Sequence, residues 1–71
     1  MMPLVFAEAG TDAIVQKVGG TPEVKKHLEN LGFVPGSNVM VVNKLGGNLI
    51  VKIKEARVAI NEEMARKIMI G

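Results

Sequence analysis

The sequence contains no cysteine, tryptophan or tyrosine, and its only aromatic residues are two phenylalanines. Without cysteine, the chain can form neither a disulfide framework nor a thiolate zinc site, and it has no cysteine nucleophile. This composition fits a reducing compartment. Because aromatic residues are so few, the core must be aliphatic, and ten valines and six isoleucines favour β structure.

Long apolar runs and a strong net charge are also missing. No window approaches the ~20 apolar residues of a membrane-spanning helix, and residues 1–10 lack the basic region and apolar core of a signal peptide. The net charge of +2 at pH 7 is small for a dedicated polyanion-binding protein. We therefore expect a cytoplasmic protein whose residues 1–71 form a single domain.

Catalytic and metal-binding groups are scarce. The only histidine, His27, lies one helical turn after Glu23, and two ligands would leave a metal ion underbound. His27 is most simply a solvated helix residue. No nucleophile has a base and an orienting group beside it in the sequence. We expect no enzymatic activity, no cofactor and no specific metal binding.

One helix has clear start and stop signals. Thr21 is a candidate N-cap, and Pro22 suits the first helical position. In the stretch LENLGFVPGS, Gly32 can take the left-handed conformation that ends a helix, and Phe33 stands where a capping hydrophobe usually lies. Pro35 and Gly36 then predict a turn into the following strand.

The remaining segments predict β structure. A glycine hairpin is centred on residues 45–47, Asn61 is a candidate cap for one helical turn, and residues 4–7 could add an edge strand. The five predicted strands are residues 11–18, 38–44, 48–54, 57–60 and 68–70. This pattern predicts a mainly β fold, a small SH3-like five-stranded barrel with one inserted helix and a short helical turn near the C-terminus.

Strand alternation predicts which side chains face the core. In the second hairpin strand, the inward positions are Leu49, Val51 and Ile53. In the strand over residues 11–18, Ile14 and Val18 should share one face, and Val15 and Lys17 the other.

A candidate partner-binding surface follows from the outward positions. Its residues are Lys44, Ile50, Lys52, Lys54 and Arg57. Lysines on outward strand positions also deter aggregation, so a solvated face is the simpler interpretation. Apolar Ile50, joined by Met40 and Val42 if the first hairpin strand faces the same way, would give the mixture of charge and apolar area typical of a modest protein interface.

The order of these signals over residues 28–70 resembles the ferrous iron transport protein A (FeoA) family. In that family a helix ending in Leu-Gly precedes a Pro-Gly turn, a glycine-centred hairpin, an Ala-Ile or Ala-Leu strand and a Glu-x-Ala-x-x-Ile ending. The matching positions are Leu31, Gly32, Pro35, Gly36, Val39, Val41, Gly46, Gly47, Ala59, Ile60, Glu63, Ala65 and Ile68. The chain departs from the pattern at Asn48, where many relatives have proline, and at Glu55 and Ala56, where relatives often have a glycine turn.

The resemblance implies a small cytoplasmic accessory protein of ferrous iron uptake. Its partner would be the cytoplasmic domain of an iron permease that carries a GTP-binding domain, and this chain would act as a protein-interaction module on it. The resemblance does not imply that the chain itself binds iron. No glycine-rich segment here has the lysine and hydroxyl pattern that cradles a nucleotide, so GTP chemistry would belong to the partner.

Two other functions stay open for a barrel of this kind. Small barrels bind nucleic acid, usually by stacking bases on exposed aromatic side chains. Because Phe6 and Phe33 are both expected in the core, no specific nucleic-acid binding is expected. The same barrel also ends some iron-dependent repressors, which makes a regulatory barrel the second alternative.

Overall fold

The computed structural model describes all 71 residues. The elements, in chain order, are β1 (Met2–Pro3), a 3₁₀ turn (Leu4–Phe6), β2 (Asp12–Val18), α1 (Pro22–Asn30), β3 (Asn38–Leu45), β4 (Asn48–Ile53), β5 (Ala56–Asn61), α2 (Glu62–Arg66) and β6 (Ile68–Ile70). The strands pair antiparallel in the order β1-β6-β2-β3-β4-β5. The mainly β class, the inserted helix and the C-terminal helical turn are confirmed, and β1 adds a sixth, two-residue strand.

Strand β2 is the corner at which the sheet folds around its core. Its first half pairs with β3 and its second half with β6, and the register shifts at Gln16 between Val15 and Lys17. A bulge residue of this kind changes which side the following residues face. Val15 and Val18 are therefore both buried while Ile14 is exposed, and the predicted pairing of Ile14 with Val18 on one face is wrong.

The predicted edge strand at residues 4–7 is also wrong. The Ala7 N–H donates to the Leu4 carbonyl at 2.9 Å, which closes a 3₁₀ turn instead of extending β1. In such a turn, residues three apart lie on the same side. Leu4 and Ala7 therefore both enter the core, while Phe6 is 67% exposed.

The helix-to-strand junction forms as the sequence predicts. The Phe33 N–H donates to the Leu28 carbonyl and the Gly32 N–H to the Glu29 carbonyl, both at 3.0 Å. These two bonds are those of a Schellman motif, with Gly32 in the left-handed region at φ +109°. Phe33 and Leu28, the hydrophobic pair of that motif, are both fully buried.

The following Pro-Gly turn attaches the junction to β2. The Ser37 N–H donates to the Val34 carbonyl at 3.0 Å, and Gly36 has φ +93°. Proline before a positive-φ glycine is the pattern of a type II turn. The Gly36 N–H also donates to the Val15 carbonyl at 2.8 Å, so the turn is held against the sheet.

Both helix caps are confirmed. The Thr21 hydroxyl accepts from the Val24 N–H at 3.3 Å, and the Asn61 side-chain oxygen accepts from the Met64 N–H at 2.8 Å. Each side chain satisfies a backbone donor that has no partner within its helix.

The core is aliphatic apart from Phe33, and no polar side chain is buried in it. Strand β4 contributes its three predicted inward residues, which confirms that alternation. The buried core residues are Leu4, Ala7, Val15, Val18, Leu28, Phe33, Val39, Val41, Leu49, Val51, Ile53, Ile60, Ala65, Ile68 and Ile70.

Candidate partner-binding surface

Four of the five candidate residues lie together on the outer side of β4 and β5. Across the strands, Met40 pairs with Lys52, and Lys52 pairs with Arg57. Cross-strand partners point to the same face of a sheet, and so do residues two apart on one strand. Ile50 and Lys52 therefore share this side of β4. We call the surface formed by Met40, Ile50, Lys52, Lys54 and Arg57 the basic face.

The cations of the basic face have no internal partner. Lys52, Lys54 and Arg57 are exposed, and none of them makes a salt bridge. The chain's single salt bridge joins Arg66 to Glu62 on α2 at 2.6 Å. The three cations beside Met40 and Ile50 are thus free to meet acidic groups of another molecule.

A hollow of about 430 Å³ opens at one side of the basic face. Its lining residues are Asp12, Ser37, Asn38, Met40, Lys52 and Lys54. The Asn38 amide donates to the Asp12 carboxylate, which joins β3 to β2 at this wall. The aliphatic stem of Lys54 lies over Gly32, where an added Cβ would be 3.7 Å from Lys54 Cδ. The helix-to-strand junction therefore supports this end of the basic face.

The turn between β4 and β5 places Lys54 in an unusual conformation. Ile53 pairs with Ala56, which leaves Lys54 and Glu55 as the two turn residues. Lys54 has φ +55° and is the one residue other than glycine in the left-handed region. A lysine here keeps a cation on the basic face at a backbone position that glycine would occupy more easily.

Lys44 does not join the basic face. Between β3 and β4, Val41 pairs with Val51 but Asn43 pairs with Ile50, so Val42 is an extra residue in β3. This bulge turns Lys44 to the side of its partner Leu49, which is buried. The Lys44 ammonium donates to the Val5 carbonyl at 3.0 Å. Lys44 therefore ties β3 to the N-terminal turn.

A second hollow, of about 280 Å³, contains the aromatic residue that sequence reasoning placed wrongly. Phe6, expected in the core, projects here from the 3₁₀ turn and is largely exposed. The residues that line this hollow are Val5, Phe6, Lys44, Gly46, Gly47, Asn48, Leu49, Glu62 and Arg66. Pro3, which precedes the 3₁₀ turn, is the one residue whose type could have indicated this turn from the sequence.

The structure gathers no metal-ligand set. His27 is exposed on α1, and no three His, Cys, Asp or Glu side chains lie close enough to hold a metal ion. Neither helix has the length and apolar character that a membrane crossing requires.

Nearly the whole chain is similar to one protein family. The family model described as the FeoA domain matches residues 2–71. The chain belongs to the FeoA family. A FeoA relative from Methanocaldococcus jannaschii, described as "Putative Fe(2+) transport protein A", is 33% identical over 70 residues, covering 99% of this chain and 85% of the relative. The resemblance found in the sequence is thereby confirmed.

Solved FeoA structures share the fold throughout. A FeoA crystal structure described as an iron uptake regulatory protein has a TM-score of 0.91 at 26% identity, covering 99% of this chain and 93% of its own. Stenotrophomonas maltophilia FeoA in complex with zinc has a TM-score of 0.88 at 27% identity, covering 100% and 91%. That protein is described as an SH3 domain protein, which agrees with the SH3-like architecture of this chain.

The same fold occurs within a metal-dependent repressor. A manganese-dependent transcriptional repressor has a TM-score of 0.86 at 20% identity, covering 93% of this chain but 38% of the repressor. At this identity the likeness shows the fold alone.

Proposed function

We propose that this FeoA protein is a non-enzymatic accessory protein of ferrous iron uptake that docks on the cytoplasmic domain of a GTP-binding iron permease. In this proposal residues 1–71 form a single domain, and the protein is located in the cytoplasm. Family membership over residues 2–71 supports the connection with iron uptake. The Stenotrophomonas maltophilia relative is described as a candidate activating factor of ferrous iron transport, which supports an accessory role.

The basic face carries the docking part of this proposal. It combines three cations without internal partners and the apolar side chains of Met40 and Ile50 on one side of the sheet. Protein interfaces typically mix apolar area with charged groups in this way. We therefore assign the partner an acidic surface with apolar residues among its carboxylates.

Electrostatics should affect the rate of association more than the lifetime of the complex. Exposed charges steer two proteins toward the docking orientation, and salt screens this attraction over a Debye length of about 8 Å at physiological ionic strength. We expect binding to weaken as salt is added, because Lys52, Lys54 and Arg57 are exposed in the free protein.

Charge reversal on the basic face tests the proposal. The double variant Lys52→Glu, Lys54→Glu should bind the purified cytoplasmic domain of the permease at least about tenfold more weakly, a loss of about 1.4 kcal/mol. The measurement is a calorimetric titration, with the amide NMR spectrum of each variant as a check on the fold. The variant Lys25→Glu, Lys26→Glu is the matched control, because it changes the net charge equally on exposed positions of α1.

Two results would oppose the proposal. Equal affinity of both charge variants and the unmodified protein would remove the basic face from the interface. A permease domain that shows no heat of binding and no NMR shifts with the unmodified protein would exclude docking itself.

A further inference from the structure

Strand β5 is the one long strand whose entire outer edge has no neighbouring strand. It lies at the end of the sheet and pairs with β4 alone, while the opposite end of the sheet is the two-residue strand β1. All six β5 residues pair with β4 in a continuous register. The ladders of β2 with β6 and of β3 with β4 each contain a bulge. Regular pairing keeps the outer edge of β5 straight enough to accept another strand.

The backbone of this edge presents groups without a partner. In an antiparallel ladder, hydrogen-bonded and non-hydrogen-bonded pairs alternate. Because the two-residue turn closes on the pair Ile53 and Ala56, alternation directs the N–H and C=O groups of Arg57 and Ala59 away from β4. None of the hydrogen bonds outside the regular helices and strands involves these two residues. Both residues are exposed.

The side chains of β5 leave the edge accessible. Proteins usually protect an edge strand with lysine, proline, a bulge or a covering element. β5 contains none of the first three, and the small side chains of Ala56 and Ala59 allow another backbone to approach. Arg57 is its only charged residue.

We propose that β5 binds an extended acidic segment of the permease's cytoplasmic domain, which adds to the sheet as a further antiparallel or parallel strand. This inference rests on the proposed docking function. Main-chain hydrogen bonds to Arg57 and Ala59 would hold the segment, and its alternate side chains would select the sequence. Side chains on the outer side meet Arg57 and, beyond it, Lys52, so carboxylates fit there. Side chains on the inner side meet half-buried Val58, so apolar residues fit there.

Charge argues against a second copy of this chain as the occupant. Pairing of β5 with β5 would join two basic faces into one continuous surface, with Arg57 and Lys52 of each copy on the same side. Like charges brought together across an interface oppose association. An acidic segment neutralises the same cations.

The first test uses a short blocked peptide of alternating glutamate and valine as the probe. In an NMR titration we expect saturable amide shifts that are largest at Arg57 and Ala59. Ala59→Pro should weaken binding at least about tenfold, because proline removes the outward N–H at an edge position that tolerates it. Ala59→Ser keeps the N–H and should bind as the unmodified protein does. Largest shifts elsewhere, or equal binding by Ala59→Pro, would refute strand addition.

A charge exchange tests the same site without changing the backbone. Arg57→Glu should bind the glutamate and valine peptide at least about tenfold more weakly than the unmodified protein does. It should bind the corresponding lysine and valine peptide at least about tenfold more tightly. If Ala59→Pro does not fold, this exchange and the position of the largest amide shifts together decide the question. A concentration-dependent dimer that uses β5 in the absence of peptide would show that a second copy is the occupant, and would overturn the proposal.

The permease domain separates this inference from the proposed function. Binding that survives Ala59→Pro but is lost with Lys52→Glu, Lys54→Glu would keep the docking function and refute strand addition. If Ala59→Pro and the double charge variant each lose binding of the permease domain while Ala59→Ser keeps it, the docking function and strand addition are both supported. If the unmodified protein does not bind the domain, docking fails, and the assignment of the permease segment to β5 fails with it.

Discussion

At the scale of single residues, Lys54 places a cationic side chain at a backbone position that disfavours any Cβ. A residue with a Cβ in the left-handed region is disfavoured by roughly 1–2 kcal/mol, whereas glycine adopts it freely. Lys54 has φ +55° and lies in the turn that positions the basic face. Under the proposed docking function, Lys54 supplies a cation to the basic face while its own backbone conformation destabilises the turn.

Substitution of Lys54 by glycine should separate these two effects. We expect Lys54→Gly to have a free energy of unfolding about 1 kcal/mol higher than Lys54→Ala, because both lose the cation and the stem but only alanine keeps the strained Cβ. Urea denaturation followed by circular dichroism provides the measurement. Equal stability of the two variants would mean that the positive φ carries no strain.

At the scale of helices, strands and turns, the sequence predicted the helix caps, the helix end and the Pro-Gly turn correctly. Gly32, the turn at Pro35 and Gly36, and the caps Thr21 and Asn61 all act through bonds to residues a few positions away. The sequence around each of them contains the information needed, so each prediction was confirmed.

The bulges were not predictable in the same way. Gln16 and Val42 are ordinary residues for a strand, and each becomes the extra residue only because a distant strand fixes the register on both sides of it. One such residue inverts the alternation that follows, which moved Val18 into the core and Lys44 away from the basic face. The prediction that Phe6 lies in the core was also wrong. The 3₁₀ turn brings Leu4 and Ala7 into the core and leaves Phe6 outside it.

The cap of α2 provides a prediction for a single element. Asn61→Ala should lower the free energy of unfolding by about 1 kcal/mol, because the Met64 N–H loses its partner at the start of a five-residue helix. For a domain of this size the thermal midpoint should fall by roughly 4–8 °C. Asn61→Ser, which keeps an accepting oxygen, should recover most of the loss in a thermal scan. An Asn61→Ala variant with an unchanged midpoint would show that α2 does not need its cap.

At the scale of the whole molecule, the exposed ring of Phe6 lies apart from the basic face. The two hollows share no lining residue: one contains Lys52 and Lys54, and the other contains Phe6. In the hollow with Phe6, Lys44 donates to the Val5 carbonyl and Arg66 pairs with Glu62. The two cations that line the hollow with Phe6 therefore have partners within the chain, whereas Lys52 and Lys54 in the other hollow make no salt bridge.

This separation bears on the nucleic-acid alternative, because the exposure of Phe6 removes one argument against it. Proteins that bind single strands combine aromatic stacking platforms with a continuous cationic groove, and their affinity falls steeply with salt when they neutralise several phosphates. Here a base stacked on Phe6 would meet cations that already have partners, and the net charge is only +2.

We expect fluorescence anisotropy to show weak binding of single-stranded oligouridine at low salt and none at physiological salt. Phe6→Ala should leave this weak binding unchanged. Tight binding that persists at physiological salt and is lost in Phe6→Ala would instead make the second hollow a stacking site and favour the nucleic-acid function.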